Sequence, residues 1–206
     1  MINTVENLDF RKAMEQYVDG CLLNIPEDVA RLFKEYTLLI WDYKLTGRIY
    51  DFYNDNIILY LENGITVVGI EGVIAATLAF TAAVPDNESW FIDIFAEGNP
   101  QDGYSFIQST RRVGTCLGYS SAGKPTGRSL SEGGRDAIAL CECRVQKIDG
   151  RWKITEEWLV RSGASVIHVM TPGSAPVVFE NNTNIMLPET TPYRGWCKPA
   201  GPEEPA

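Results

Sequence analysis

The sequence predicts an α+β fold, and three features carry that prediction. Apolar residues recur at helical spacing as far as Pro85, then alternate at strand spacing to about residue 161, and turn dipeptides separate the alternating segments. Helices followed by a meander imply a curved antiparallel sheet with three N-terminal helices over one face.

The main domain is placed at residues 24–170, after a weakly helical leader at 1–23 and before a Pro-rich tail at 171–206. Asn24 is positioned to cap the first helix, with Pro26 in its first turn and Glu27 three residues on. Val29, Leu32, Phe33, Tyr36, Ile40 and Tyr43 then recur mostly three or four apart, opposite Glu27, Arg31, Lys34 and Glu35, which predicts an amphipathic helix over 27–45. Thr46-Gly47 ends it. "RIYDFY" predicts a short helix at 47–53, and Asn63-Gly64 between "NIILY" and "ITVVGI" is a hairpin signal. The Ala-rich "EGVIAATLAFTAAV", stopped by Pro85, predicts a helix at 71–84. "SWFIDIFAEG", "YSFIQSTRRVGT", "RDAIALCECRVQKI" and "RWKITEEWLVR" follow as strands, with turns at Asn99-Pro100, Gly123-Lys124-Pro125 and Asp149-Gly150.

Composition limits the partners. A chain of 206 residues that is 45% hydrophobic and carries a net charge of −9 can bury a core but offers no basic stripe, so neither nucleic acid nor an anionic membrane is an expected partner. No apolar run approaches the roughly 20 residues of a bilayer span, and the N-terminus lacks the apolar stretch of a signal peptide; a cytoplasmic location is expected. Five cysteines without a C-x-x-C pair predict reduced thiols.

The order of elements, with "IWDYKLTGRIYDFYNDNIILY", "GKPTGR" before a strand and "DGRWKITEEWLVR" at the last strand, resembles the SnoaL-like polyketide cyclase family of the nuclear transport factor 2-like superfamily over about residues 24–170. The resemblance implies a cone: a strongly bent antiparallel sheet whose concave face and covering helices enclose an apolar pocket. Trp41 and Tyr53 would then belong to its wall and mouth, where rings offer apolar bodies and polar tips. Such cyclases use a carboxylate acid/base with supporting histidines and no metal. Here the family aspartate aligns with Leu159, one histidine with Tyr60 and another with Cys143, so that mechanism does not transfer residue for residue.

Replacement groups are available. If Leu159 faces the pocket, alternation puts Glu157 and Arg161 beside it, and burial would raise the Glu157 pKa into a range suited to proton transfer; alternatively Glu156 and Glu157 are a solvated pair. Asp93 shares a predicted face with Phe91 and Phe95, as a carboxylate in an aromatic setting or as a rim residue. Tyr60, Gln108, Thr110 and Arg112 carry polar tips that could orient a carbonyl or carboxylate, and the last three form either a pocket wall or the solvent face of their strand. Cys141 and Cys143 share a strand face, but with His168 the sole histidine they read as small buried hydrophobes rather than metal ligands. His168 lies in an apolar segment and reads as packed more readily than as a base.

The expected function is therefore cofactor-free proton transfer (cyclase, isomerase or dehydratase type) on a hydrophobic carbonyl compound in an enclosed pocket. The alternatives are a small-molecule binding module that has lost the chemistry and an assembly subunit. Trp158, Ile154 and Leu140 are expected on the uncovered sheet face, where homodimerisation would bury them.

Overall fold

A computed structural model of the protein describes residues 20–132 and 137–175. Most of the expected leader (1–23) and tail (171–206) lies outside the described residues. Helix α1, Glu27–Thr37, buries Val29, Leu32, Phe33 and Tyr36 on one face, as the spacing requires. No side chain caps it: Pro26, which has no N–H to satisfy, precedes its first residue, so the expected Asn24 cap does not form. The helix runs on into one wider turn, Leu38–Asp42, closed by the Tyr43 N–H on the Leu38 carbonyl at 3.0 Å. Such a turn re-aims the side chains beyond it, here Trp41. A tight turn at Thr46–Arg48 leads into helix α2, Ile49–Phe52, and strand β1, Tyr53–Leu61. Gly64, at φ 74°, helps reverse the chain into the short strand β2, Thr66–Val68. Helix α3, Ile70–Ala83, precedes strands β3, Glu88–Asn99; β4, Gly103–Val113; β5, Ala137–Ile148; and β6, Arg151–Arg161, and helix α4 spans Gly163–Met170.

The α+β class holds, but the sheet is neither all-antiparallel nor a cone. It is an open, mixed sheet in the order β2-β1-β6-β5-β4-β3, not closed or strongly curled, with β2 and β3 as its edges. The meander β3 to β6 is antiparallel throughout, but β1 lies beside the last strand and runs parallel to it. Parallel neighbours need a crossover, and the chain between β1 and β6 supplies it.

The helices cover one face of the sheet. Phe33, Tyr36, Ile40, Ile49 and Phe52 pack there on Ile57, Leu59, Phe106, Cys143, Val145 and Ile154 in one continuous core, with the Phe33 and Phe106 rings 4.0 Å apart. Besides an irregularity between Tyr53 and Ile58 in the β1–β6 pairing, two register shifts alter which residues face it. One falls between Phe91 and Asp93, the other opposite the Arg144–Val145 step, where Thr155 is the extra residue. Because of the second, Ile154 is a core residue, not part of the uncovered face where alternation places it. Trp158 and Leu140 do lie on the other face; Trp158 stacks on Tyr60 at 5.2 Å, and Leu140 is exposed near Ile107, Phe95 and Val160 in the register of the strands. No helix among the described residues is long and apolar enough to cross a membrane.

Candidate functional site

A cavity opens between the helical layer and the β1–β6 pair. Ile40 and Trp41 reach it from the wide turn after α1, Ile49 from α2, Val73, Ala76 and Thr77 from α3, and Tyr53, Leu59, Leu61, Glu157, Leu159 and Arg161 from the two strands. The space within it that the centre of a water molecule can reach is about 30 Å³. β1 and β6 pair in register there, Leu59 with Glu157 and Leu61 with Leu159, so alternation sends these side chains to the covered face.

Glu157 is a carboxylic acid in an otherwise largely apolar wall, with 6% of its surface exposed. The Tyr53 hydroxyl donates to its Oε2 at 2.7 Å and the Cys141 thiol to its Oε1 at 3.1 Å. Burial raises its pKa; the two hydrogen bonds and the positive charges of Arg112 and Arg161 draw it part of the way back. Tyr53, pushed well above the ordinary phenol value by burial and then by the Glu157 charge, stays protonated and remains a donor. Arg161 on the cavity wall is paired with Glu62 at 3.0 Å. Tyr53→Phe is expected to move the Glu157 titration to higher pH, since it deletes a bond that favours the charged form. Carboxyl ¹³C NMR in a chelator-containing buffer measures this, and an unchanged or lower midpoint would show that the bond does not hold the carboxylate.

Beneath the carboxyl lies a polar layer that alternation predicted but could not assign to a face. Gln108, Thr110 and Arg112 are all buried on the helix-covered side of β4. The Gln108 amide bonds Thr37 Oγ1 at 3.0 Å and donates to the Tyr36 hydroxyl. That hydroxyl lies 3.6 Å from Cys141 Sγ and 3.7 Å from Cys143 Sγ, and the two sulfurs are 3.4 Å apart. The Arg112 guanidinium sits 4.3 Å from the centre of the Trp41 ring, and its buried Nε and Nη1 have no hydrogen-bond partner. A buried guanidinium stacked on an aromatic face with N–H groups to spare is a potential donor to a ligand oxygen.

The expected site residues divide. Trp41, Tyr53, Glu157 and Leu159 line the cavity, and Gln108, Thr110, Arg112 and Cys143 are buried on the same face of the sheet. Tyr60 stands apart: its register partner is Trp158, so both rings occupy the opposite face from Glu157. Asp93 does too. The β3 shift pairs it with Ser109 while Phe91 pairs with Thr110, so Asp93 does not share the face of Phe91, and its Oδ1 accepts the Ile94 N–H at 2.8 Å. His168 is carried away on α4, where its Nε2 lies 2.7 Å from the Ala175 carbonyl. Polar contributors that were not among the expected site residues include Cys141, Tyr36 and Thr77. Cys141 was open to discovery because it shares a strand face with Cys143; Tyr36 read only as a core position of α1, and nothing in the sequence marks Thr77.

Cys141, Cys143 and Glu157 also form the donor set most suited to a metal among the described residues, with their ligand atoms all within 4.8 Å of one another. The third donor that the cysteine pair lacks in the chain is supplied by the neighbouring strand, since Cys143 pairs with Glu157.

Comparison with known proteins bears on the fold. No protein-family profile and no curated protein matches the sequence. Solved structures do match. A protein described as a candidate SnoaL-like polyketide cyclase from Jannaschia sp. CCS1 is similar over 71% of this chain and 90% of its own, at 19% identity and a TM-score of 0.55. A candidate polyketide cyclase from Acidithiobacillus ferrooxidans is similar over 69% and 93%, at 15% identity and a TM-score of 0.53. The hexachlorocyclohexane dehydrochlorinase LinA-type3 from Novosphingobium barchaimii LL02 is similar over 70% and 90%, at 16% identity and a TM-score of 0.54. At these identities the likeness is one of architecture: the chain shares the fold of these structures.

Proposed function

We propose that the protein is a cofactor-free proton-transfer enzyme of cyclase, isomerase or dehydratase type that acts on a hydrophobic carbonyl compound. The observation that carries this reading is the Glu157 carboxyl, buried on the wall of a largely apolar cavity and raised in pKa by that burial. In its ionised form the carboxylate takes a proton from the carbon next to the substrate carbonyl. The C–H electron pair becomes the enolate, and the same carboxyl returns the proton elsewhere on the substrate or to a leaving hydroxide. Arg161 on the wall offers positive charge to the enolate oxygen. Tyr53 keeps the carboxylate in place. The similar structures described as cyclases and as a dehydrochlorinase support the general type of chemistry, not a substrate.

A binding module on the same fold is the second reading, and one observation favours it: both Glu157 oxygens already accept hydrogen bonds from the protein. The two readings separate in heavy water. A panel of hydrophobic ketones, incubated with the protein and a chelator, is expected to exchange α-protons for deuterium by proton NMR. Ligands that bind without exchange would leave the binding module standing.

The uncovered sheet face carries Phe95, Ile107, Leu140 and Val160, all exposed. A homodimer through this face would bury them symmetrically. Sedimentation is expected to show a dimer at micromolar concentration, with Leu140→Glu/Val160→Glu shifting it to monomer; a wild-type monomer would rule the interface out.

A further inference from the structure

The reaction proposed above uses the Glu157 carboxyl and leaves the two thiols beneath it without a task. We propose that Cys141, Cys143 and Glu157 together bind one thiophilic divalent ion, Zn²⁺ or Cd²⁺, at the inner end of the cavity. The inference does not rest on the proton-transfer reading.

The strands present the donors ready-made. Cys141 and Cys143, two apart on β5, point to the same face, and Glu157 comes from directly across the β5–β6 pair. The sulfurs are 3.4 Å apart, and Cys141 Sγ is 3.1 Å from Glu157 Oε1. Tetrahedral zinc, with bonds of about 2.3 Å to sulfur and 2.0 Å to oxygen, sets its sulfurs roughly 3.8 Å apart and sulfur from oxygen roughly 3.5 Å. Each observed separation falls short of the loaded one by about 0.4 Å, a difference that small side-chain rotations supply. All three residues are buried, so the cluster is not one of the acidic groups common on protein surfaces.

Burial pushes both thiols up, Cys143 well above the ordinary value, so the ion itself must displace their protons, with help from the groups around them. Gln108 donates to the Tyr36 oxygen, which leaves the phenol proton free to point at the sulfurs 3.6 and 3.7 Å away. Metal ligands are characteristically steadied by such outer hydrogen bonds. Two thiolates and a carboxylate around a divalent ion leave one net negative charge, and Arg112, whose field acts on Glu157, offsets it. Loading replaces two thiol protons, which leave as the two metal–sulfur bonds form. The cavity reaches Glu157 and gives the ion its path. A bound ion occupies the carboxylate, so metal and proton transfer at this residue exclude one another.

The test uses full-length, reduced, chelator-stripped protein titrated with Cd²⁺, followed by the ultraviolet thiolate-to-cadmium band. One equivalent is expected to saturate it. Cys141→Ser and Cys143→Ser should each weaken binding by more than the roughly 10–100-fold typical of losing an outer-shell partner. Glu157→Gln, which keeps the side-chain shape, should weaken binding in a protein whose circular dichroism is unchanged, and serves if a serine variant fails to fold. Cys21→Ser/Cys197→Ser should bind as wild type. X-ray absorption of the zinc form should show two sulfurs at about 2.3 Å. A band that survives in Cys141→Ser/Cys143→Ser, affinity unaffected by Glu157→Gln, or no stoichiometric binding overturns the proposal. Deuterium exchange is measured with chelator present, so it stands or falls separately.

Discussion

Glu157→Gln is expected to abolish deuterium exchange into a ketone substrate, a loss of about 10²–10⁴-fold for removal of a general base, while the protein remains folded. The same substitution should reveal the cost of burying the carboxylate. In the folded protein the Glu157 pKa lies above its ordinary value, chiefly because of burial. The folded state therefore holds the proton more tightly than the unfolded state. The stability this contributes is complete below the ordinary carboxylate range and is lost as pH rises through the folded pKa, at about 1.4 kcal/mol per unit of elevation. Glutamine never ionises. Wild type and Glu157→Gln should thus differ little near about pH 4, and the variant should gain on wild type as the pH rises toward about 8, in metal-free urea denaturation. A gap that closes with rising pH would mean the carboxylate is stabilised in place, and exchange that survives the substitution would remove Glu157 from the chemistry.

Phe106→Ala is expected to be the most damaging single truncation of the core, costing about 3–5 kcal/mol. Its ring is fully buried, 4.0 Å from that of Phe33 and 5.7 Å from that of Tyr36, and its strand position is opposite Cys143. Phe95→Ala removes the same group from the other face of the sheet, where the ring is 57% exposed, and should cost less than about 1 kcal/mol. Urea denaturation of the pair measures the difference. Equal losses would contradict the assignment of one face to the helices and the other to solvent or a partner chain.

The contrast between these faces shows what was legible in the sequence. Helix α1, the Asn63-Gly64 turn, the stop at Pro85 and the hairpin at Asp149-Gly150 are local signals, readable within a few residues. The parallel pairing of β1 with β6 is not local: it depends on where β1 docks after almost a hundred residues of intervening chain. The expectation of an all-antiparallel sheet failed at that step. The finer errors came from single extra residues. Counting back from the Ile148–Arg151 pair would set Cys143 opposite Glu156, and only the extra residue Thr155 brings Glu157 there and turns Ile154 inward. A similar shift in β3 parts Asp93 from Phe91. Alternation fails by one at each bulge, and no residue type announces where a bulge will fall.

The mixed order of strands also fixes when the site can come into being. Tyr53 begins β1 and Glu157 sits in β6, 104 residues later, yet their side chains share a hydrogen bond. Helices α1 to α3, β1 and β2 leave the ribosome well before the strand that completes the cavity. Until β6 arrives, one long flank of β1 has no neighbour, and Leu59 and Leu61 lack their opposite wall. Pairings this distant pay their loop-closure entropy before they yield any contact, so they come late and slowly. The pocket is thus expected to form late, and a nascent chain stalled before β6 would expose the very surface that the mature protein would offer a ligand.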